Sequence, residues 1–348
     1  MNDTIINSPV LMTFDKDSKL SSSEVHALLN KKLSLVTIKR HLSDLLKEDF
    51  LIQYGAGRSV KYSLSKKGLF LRPIDTKSYL GNNPDDRISY NNYRFDLFEK
   101  PYVELFTSEE LNILDKATEN FRGKSTITDD ETRKKELMRF IIEFSWKTSQ
   151  IEGNTYDIIS TEKLLLYGEK SSTNTEYEAQ MIINQKDALE FILENINDWS
   201  KPNLTLIEKL HNFVGKDLNI SKGLRKSLVG ITGTNYRPLE NEFQIKEAVE
   251  NLLNYLSYTN RAYEQALLSV LGLSYIQPFV DGNKRTSRLL GNAYLLSNDL
   301  APLSYRSVDD RDYKEATIVF YEQNSVEPFK KLFIEQYVFS ANNYNISK

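Results

Sequence analysis

The 348-residue chain contains no cysteine, which excludes a disulfide-stapled scaffold and any thiol chemistry. Its three histidines, His26, His41 and His211, leave little for a His-rich metal site. No apolar run approaches the roughly 20 residues that a membrane span needs. The N-terminus lacks the basic and apolar segments of a signal peptide. We therefore expect a cytoplasmic, globular protein without a membrane partner.

Charge is unevenly distributed along the chain. Residues 31–67 contain nine Lys or Arg and three acids, which gives this segment a charge of +6. Because the whole chain has a net charge of −3, the remaining residues together carry −9. A basic module attached to an acidic body favours a polyanion as the partner of that module.

The basic segment has the pattern of two helices followed by two strands. Residues 21–29 and 34–46 keep helical spacing of apolar side chains, and each begins at a serine that can act as a cap. Residues 50–54 and 59–64 are rich in strand formers and flank a Gly-containing turn, which predicts a hairpin. This order resembles a winged helix-turn-helix, in which the second helix enters the major groove and the wing touches phosphate.

We assign residues 1–75 to this winged helix-turn-helix domain and expect it to bind DNA. The alternative is a module for protein contacts or dimerisation, but the local charge favours nucleic acid. The expected contacts are Thr37, Lys39 and Arg40 on the second helix and Arg58 and Lys61 on the wing.

The rest of the chain is expected to be almost entirely helical. Residues 76–100 are rich in turn formers and have little periodicity, which predicts a connector. Helical spacing of apolar residues recurs from residue 108 onward, in segments 130–152, 174–195, 205–217, 243–257, 261–276 and 284–298. The exception is 229–238, where β-branched residues around a glycine predict a short hairpin. The predicted fold class is therefore mainly α.

One loop, residues 277–288, carries the chemistry. Asp281 supplies the carboxylate oxygen that Mg2+ takes, usually together with substrate phosphates. Gly282 and Asn283 suit a tight turn, and a turn before a helix points N–H groups at an anion. Arg285 and Arg288, three residues apart, lie on one face of that helix. Any of these residues alone fits a solvated surface turn, but the ordered set predicts a site for a metal-bound polyphosphate.

The run resembles the signature of the Fic family, His-x-Phe-x-(Asp/Glu)-Gly-Asn-(Gly/Lys)-Arg-x-x-Arg, at every defined position except the first, which is Gln277. Residues 148–154 resemble the family's (Ser/Thr)-x-x-x-Glu-(Gly/Asn) inhibitory motif, with Glu152 at the glutamate. Gly223-Leu224-Arg225 and the 229–238 segment resemble its target-docking flap. The resemblance covers about residues 100–340, divided into a part carrying the inhibitory helix (101–200) and a core with flap and ATP loop (201–340).

The resemblance implies AMP transfer from ATP to a Ser, Thr or Tyr hydroxyl of a target protein. It implies Mg2+ on Asp281, autoinhibition by Glu152 through Arg288, and target docking by strand addition along the flap. The ATP-binding positions that it implies are Gly282, Asn283, Lys284, Arg285 and Arg288, with Tyr313 beside the adenine. The flap residues are Thr232, Gly233, Thr234 and Tyr236. Lys284 also occurs in Doc-type toxins, which phosphorylate, but Gly282 and Glu152 favour AMP transfer. A homodimer is a further expectation, since members with such a helix often dimerise.

Gln277 stands where the family has its general-base histidine, beside the implied catalytic positions Asp281, Asn283 and Arg285. An amide accepts no proton at physiological pH, and loss of a general base typically costs roughly 10²–10⁴ in rate. Gln277 is an engineered change, a natural change that leaves a pseudoenzyme, or a sign of another reaction such as removal of AMP. Two hypotheses follow: an adenylyltransferase that is slow or inactive in this chain, and a nucleotide-sensing DNA-binding regulator. For His211, on an apolar helix, we expect a structural role.

Overall fold

The computed structural model describes residues 6–100, 102–125, 129–259 and 261–346, and the side chains of Arg58 and Ser125 lie outside the described part. The expectation of a mainly helical fold is confirmed, because the described residues form many helices and a single two-stranded sheet. None of the described helices has the length and apolarity to cross a membrane.

The N-terminal segment has the order of elements that its sequence predicts. Helix α1 (Ser22–Leu28) begins at a capping box formed by Ser21 and Glu24, and α2 (Leu35–Lys47) begins at the cap Ser34. Strands β1 (Leu51–Tyr54) and β2 (Lys61–Leu64) pair antiparallel. Its apolar core continues into that of the body without interruption. The assignment to a winged helix-turn-helix remains a prediction.

The connector is more ordered than its sequence suggests. It follows α3 (Lys66–Leu71) and contains α4 (Thr76–Leu80) and two 3₁₀ turns (Pro84–Asp86 and Phe95–Phe98). Its backbone joins the body at both sides: the Tyr90 N–H donates to the Glu322 carbonyl at 2.8 Å, and the Asn91 carbonyl accepts from the Arg237 N–H at 2.8 Å. Turn-forming residues here make a packed segment because their polar backbone groups find partners in the body.

The body consists of ten helices in the described residues. They are α5 (Ser108–Ser125), α6 (Asp130–Ile151), α7 (Ile158–Tyr167), α8 (Glu176–Glu194), α9 (Leu204–Val214), α10 (Glu242–Ser257), α11 (Ala262–Ile276), α12 (Asn283–Ser297), α13 (Asp310–Gln323) and α14 (Glu327–Asn343). The six predicted segments match α6 and α8–α12 to within a few residues.

Helices α11 and α12 form the centre of the body. Every residue of α11 except Gln265 is buried. The two helices approach so closely that a Cβ at Gly291 would lie 2.6 Å from Cγ2 of Val270. The short link between them, residues 277–282, is therefore held by two rigid helices.

The expected hairpin at 229–238 does not form. This segment has no strand pairing with itself, and instead makes an isolated bridge between Arg237 and Asn92 of the connector. The β-branched residues keep the chain extended, but the connector takes the place of the second hairpin strand.

Candidate nucleotide site

The loop between α11 and α12 is fixed by two left-handed residues and an asparagine clamp. Gln277 has φ +52° and Gly282 has φ +80°. Asn283 closes the loop with its side chain, accepting from the Phe279 N–H at Oδ1 and donating to the Phe279 carbonyl from Nδ2, both at 2.8 Å. The first turn of α12 therefore presents its N–H groups in a defined direction, as an anion site requires.

His211 supports this loop from beneath. Its ring stacks on Phe279 with centroids 3.7 Å apart, and its Nε2 donates to the Asp281 carbonyl at 2.9 Å. Burial lowers the pKa of His211 to about 4, so the ring is neutral at physiological pH. A Cβ at Gly282 would lie 3.0 Å from Cγ1 of Val214. The stacking of His211 on Phe279 and its hydrogen bond to the Asp281 carbonyl agree with the expected structural role of His211.

Arg285 is a buried cation that is only partly satisfied. Its side chain is 3% exposed, and Nη2 lies 3.2 Å from Oδ2 of Asp281. Its Nη1 has no hydrogen-bond partner in the described part of the chain. Such a buried donor is costly unless an acceptor binds, so the guanidinium is suited to an anionic oxygen.

Arg288 is fully buried and is held by residues of helix α6. Its Nε donates to Oγ1 of Thr148 at 2.6 Å, and Nη2 donates to the Thr148 carbonyl at 2.9 Å. The same Nη2 pairs with Oε1 of Glu152 at 2.8 Å. The pair that the resemblance implies is thus present in the structure.

Glu152 ends α6 and faces two cations. Burial opposes its ionised form, but the charges of Arg288 and Lys284 outweigh burial and hold the pKa of its carboxyl below the ordinary value. Oε2 lies 4.0 Å from Nζ of Lys284. Glu152 is therefore an anion placed among groups that a phosphate would also seek.

Glu152, Asp281, Lys284 and Arg285 meet around one cavity of about 360 Å³, whereas the buried Arg288 reaches it only through its pair with Glu152. Three segments that are distant in sequence form its walls: the end of α6 with the start of α8, the first part of the flap, and the α11–α12 loop. The lining residues are Glu152, Tyr177, Met181, Val229, Gly230, Ile231, Thr232, Gln277, Val280, Asp281, Gly282, Asn283, Lys284 and Arg285.

Gln277 lies on this cavity with its amide engaged by its own helix. Nε2 donates to the Ser274 carbonyl at 2.6 Å. The Gln277 carbonyl accepts from Nε of Arg225, also at 2.6 Å. The residue caps α11, and its amide has no basicity to receive a proton.

Asp281 fits a divalent cation in the manner of one carboxylate plus substrate phosphates. Its side chain is 56% exposed at the cavity, and its Oδ1 accepts from the Gly282 N–H at 2.6 Å. The described residues contain no cluster of three or more His, Cys, Asp or Glu that could hold a metal by themselves.

Residues 201–295 match the Fic/DOC family. This range contains α9, the flap, α11, the loop and α12. The chain contains a Fic domain.

Two curated relatives are named as adenylyltransferases. A probable protein adenylyltransferase of Aquifex aeolicus is 28% identical over 127 residues, 34% of this chain and 39% of that protein. The protein adenylyltransferase Fic of Nematostella vectensis is 26% identical over 175 residues, 49% of this chain and 41% of that protein. The chain spans about two fifths of the length of these relatives.

Solved structures confirm the Fic fold. A Fic-1 fragment from C. elegans has a TM-score of 0.58 at 20% identity, covering 68% of this chain and 72% of its own. A Fic family protein from Desulfovibrio desulfuricans has a TM-score of 0.57 at 18% identity, covering 70% and 76%. At these identities the likeness concerns the fold alone.

Two predicted site residues, Tyr313 and Tyr236, lie in the aromatic core and not at the cavity. Tyr313 does not line the cavity, because it is 2% exposed and its ring packs 5.3 Å from the Arg288 guanidinium. Tyr236 is equally buried, stacks on Tyr275 with centroids 4.4 Å apart, and donates from its hydroxyl to the Tyr275 carbonyl at 2.8 Å. Both aromatic side chains pack into the core, and their roles beside the adenine and in the flap stay predictions.

The remaining flap residues divide between the cavity and the connector. Thr232 lines the cavity. The Gly233 carbonyl accepts from Nη2 of Arg87 at 2.6 Å. Oγ1 of Thr234 accepts from the Tyr236 N–H at 3.1 Å. Among the described residues, no backbone hydrogen bond of 228–232 to another segment is present.

Sequence reasoning missed Thr148, Arg87 and the role of Arg225. Arg225 is buried and its other two nitrogens donate to the Ser227 and Leu239 carbonyls, at the two ends of the flap. The signal for Arg225 was its place in the Gly-Leu-Arg run before the flap. Thr148 occupies the first defined position of the 148–154 motif, but the motif gave no indication of its contact with Arg288, and nothing in sequence singles out Arg87.

The predicted DNA contacts are only partly available. Lys39 and Arg40 are exposed on α2, and Thr37 is half-buried with its hydroxyl 2.8 Å from that of Ser34. Lys61 pairs with Glu24 at 3.4 Å, and the Arg58 side chain lies outside the described residues. Two further cations of the basic segment bind backbone carbonyls: Lys66 that of Glu99 and Lys67 that of Glu48. The basic surface is therefore smaller than the sequence count suggests.

Proposed function

We propose that the chain binds ATP with Mg2+ in the 360 Å³ cavity and is a Fic-type protein adenylyltransferase. The observation that carries this is Arg285, a buried guanidinium with an unpaired Nη1 next to the N-terminus of α12. The N–H groups of the first turn of α12 have no intrahelical partner and add to the anion site. The names of the two relatives favour AMP transfer as the reaction.

Each residue of the loop has a role in this proposal. Asp281 holds Mg2+, which neutralises charge on the α- and β-phosphates. The backbone at Gly282, Asn283 and Lys284 cradles phosphate, Arg285 binds the β-phosphate and Arg288 the γ-phosphate. Positioning and charge stabilisation of this kind carry most of phosphoryl-type transfer.

The transfer itself forms a bond from the target hydroxyl oxygen to the α-phosphorus and breaks the bond to the β-phosphate, releasing pyrophosphate. The target chain lies along residues 229–232, whose open backbone permits strand addition. The hydroxyl proton needs an acceptor, and Gln277 provides none. Transfer by this chain is therefore slow or absent, while nucleotide binding is retained.

Glu152 restrains the site in the same proposal. It occupies Arg288 at 2.8 Å and lies near Lys284. A γ-phosphate and the Glu152 carboxylate compete for one guanidinium, and both form charge-assisted hydrogen bonds. Removal of Glu152 releases Arg288 for the nucleotide.

The test is label transfer from ATP carrying a labelled α-phosphate, with a cell lysate as the source of targets. We compare the parent chain, Gln277→His, and Gln277→His with Glu152→Gly. We expect labelling to rise in this order, with roughly 10² or more between the parent and the double variant. Label transfer by the double variant that stays at the background of a heat-denatured sample rejects the enzyme proposal.

The second candidate is a nucleotide-sensing DNA-binding regulator, and the exposed Lys39 and Arg40 on α2 favour it. Fluorescence anisotropy with random duplex DNA tests this function separately. We expect Lys39→Ala with Arg40→Ala to weaken binding and reduce its salt dependence. The control is Lys135→Ala, an exposed lysine of α6 far along the chain from the module. Equal duplex affinity in all three proteins rejects the DNA assignment.

A further inference from the structure

Two side chains of the connector contact the tip of the flap, residues 233–235. Arg87, 3% exposed, donates from Nη2 to the Gly233 carbonyl at 2.6 Å. The neighbouring Asn235 amide donates to Oδ1 of Asp85 at 2.9 Å. Gly233, with φ +86°, follows directly after the cavity-lining segment 229–232. The position of the segment expected to receive the target strand therefore depends on connector side chains.

Arg87 is itself fixed by a buried acid at the end of α13. Its Nη2 lies 3.1 Å from Oε1 of Glu322, whose side chain is 0% exposed. A buried ion pair gives little net stability, because the desolvation cost offsets the attraction. The pair does fix the position of the Arg87 guanidinium. Because the same guanidinium donates to the Gly233 carbonyl, the pair also fixes the position of that carbonyl.

The same contacts continue into the N-terminal module. The Tyr79 hydroxyl donates to Oε2 of Glu322 at 2.7 Å and accepts from Nε2 of Gln323 at 2.9 Å. Oε1 of Gln323 accepts from Nη2 of Arg72 at 2.5 Å, and Arg72 is 2% exposed and pairs with Asp15 at 3.5 Å. A chain of hydrogen-bonded side chains thus runs from residues 15–72 to Glu322, and the ion pair of Glu322 with Arg87 continues it to the flap.

We propose that Arg87 is a positioning residue for target docking, and that the buried relay Arg72–Gln323–Tyr79–Glu322–Arg87 couples the N-terminal module to the flap. The docking role rests on the proposed function; the coupling itself is a property of the structure. A partner bound to the module then changes how firmly segment 229–235 is held, without a change in the ATP loop. This makes the module a modifier of target binding rather than of nucleotide binding.

Hydrogen–deuterium exchange of the full chain measures this coupling without requiring activity. The variants are Arg87→Met with Glu322→Gln, which removes both buried charges together, and Arg72→Met. The matched control is Arg94→Met in the same connector, because Arg94 pairs with its own neighbour Asp96. Isothermal titration with ATP and Mg2+ follows the nucleotide site in each protein.

We expect the amides of Tyr236 and Arg237, which donate hydrogen bonds at 3.1 Å and 2.8 Å beside the flap tip, to exchange roughly tenfold faster in both relay variants, the factor that corresponds to about 1.4 kcal/mol. The control keeps the parent rate, and ATP affinity stays unchanged in all proteins. Parent-like exchange of the Tyr236 and Arg237 amides in either relay variant overturns the proposal. If the double variant loses protection throughout α11 and α12, Arg72→Met decides, because it keeps both Arg87 and Glu322; parent-like exchange of the same two amides in that variant overturns the proposal. Absence of label transfer would affect only the proposed function.

Discussion

At the scale of single residues, Arg288 shows how a buried cation is held in position by its hydrogen-bond acceptors. A guanidinium with 0% exposure cannot rely on water, so its position depends on protein acceptors. Two of these come from one residue, Thr148, through its hydroxyl and its carbonyl. The adjacent Ser149 hydroxyl is also buried but has no hydrogen-bond partner among the described residues. Of the two neighbouring hydroxyls, only that of Thr148 therefore helps to hold Arg288 in position.

We expect Thr148→Val to lower the free energy of unfolding by about 1–3 kcal/mol, because valine keeps the shape but leaves the Arg288 Nε without an acceptor. Urea denaturation followed by circular dichroism gives this value. Ser149→Ala is the matched control, and we expect it to be nearly neutral because no hydrogen bond is lost. Equal effects of the two substitutions would contradict the role given to Thr148.

At the scale of elements, the flap is a loop whose ends are tied to one side chain. Arg225 binds the carbonyls of Ser227 and Leu239 and also that of Gln277, so it links the flap to the end of α11. Three diverging acceptors suit a planar guanidinium and not the single ammonium of lysine. The flap and the α11–α12 loop therefore share one anchor.

Arg225→Lys is expected to destabilise the chain by about 1–3 kcal/mol, since buried carbonyls lose their donors. Arg237→Lys, at an exposed arginine of the same segment, should leave stability within about 0.5 kcal/mol of the parent. Thermal unfolding of the three proteins side by side is the measurement. A parent-like melting temperature for Arg225→Lys would mean that the flap ends do not need this anchor.

The elements that sequence predicts well are those whose signal is local. Periodic apolar residues located α6 and α8–α12, and Ser21 and Ser34 marked the starts of two helices, because helical spacing and caps are decided within a few residues. The hairpin at 229–238 failed because its partner, Asn92, lies far away in sequence. The burial of Tyr313 and Tyr236 could not be predicted for the same reason, since which aromatic side chain faces a site depends on the packing of distant helices. The pair of Arg288 and Glu152 was found only through a family motif.

At the scale of the whole molecule, one apolar core extends from the N-terminal module to α14, and it encloses several charged groups. Glu322 and Glu327 have cationic partners at 3.1 Å and 2.6 Å, Arg87 and Lys330. Glu264 has no Lys or Arg pair in the described part of the chain. It accepts hydrogen bonds from the Leu105 N–H and the Thr259 hydroxyl instead. Burial of this carboxyl is therefore uncompensated by charge.

Glu264 is expected to make stability fall as pH rises through neutrality. Burial raises its pKa from 4.5 to about 7 in the folded protein, so between these values the folded state binds the proton and the unfolded state does not. Stability from this group is then present below pH 4.5 and is lost as pH rises to about 7, at up to about 1.4 kcal/mol per pH unit.

The variant Glu264→Gln cannot ionise at this position, so its stability relative to the parent should be greater at pH 8 than at pH 5 by about 2 kcal/mol. Urea unfolding at both pH values measures the difference, with Glu119→Gln, at an exposed carboxylate of α5, as the control. The pH dependence must flatten in the first variant and not in the second, because only the first substitution removes the carboxyl whose burial raises its folded-state pKa.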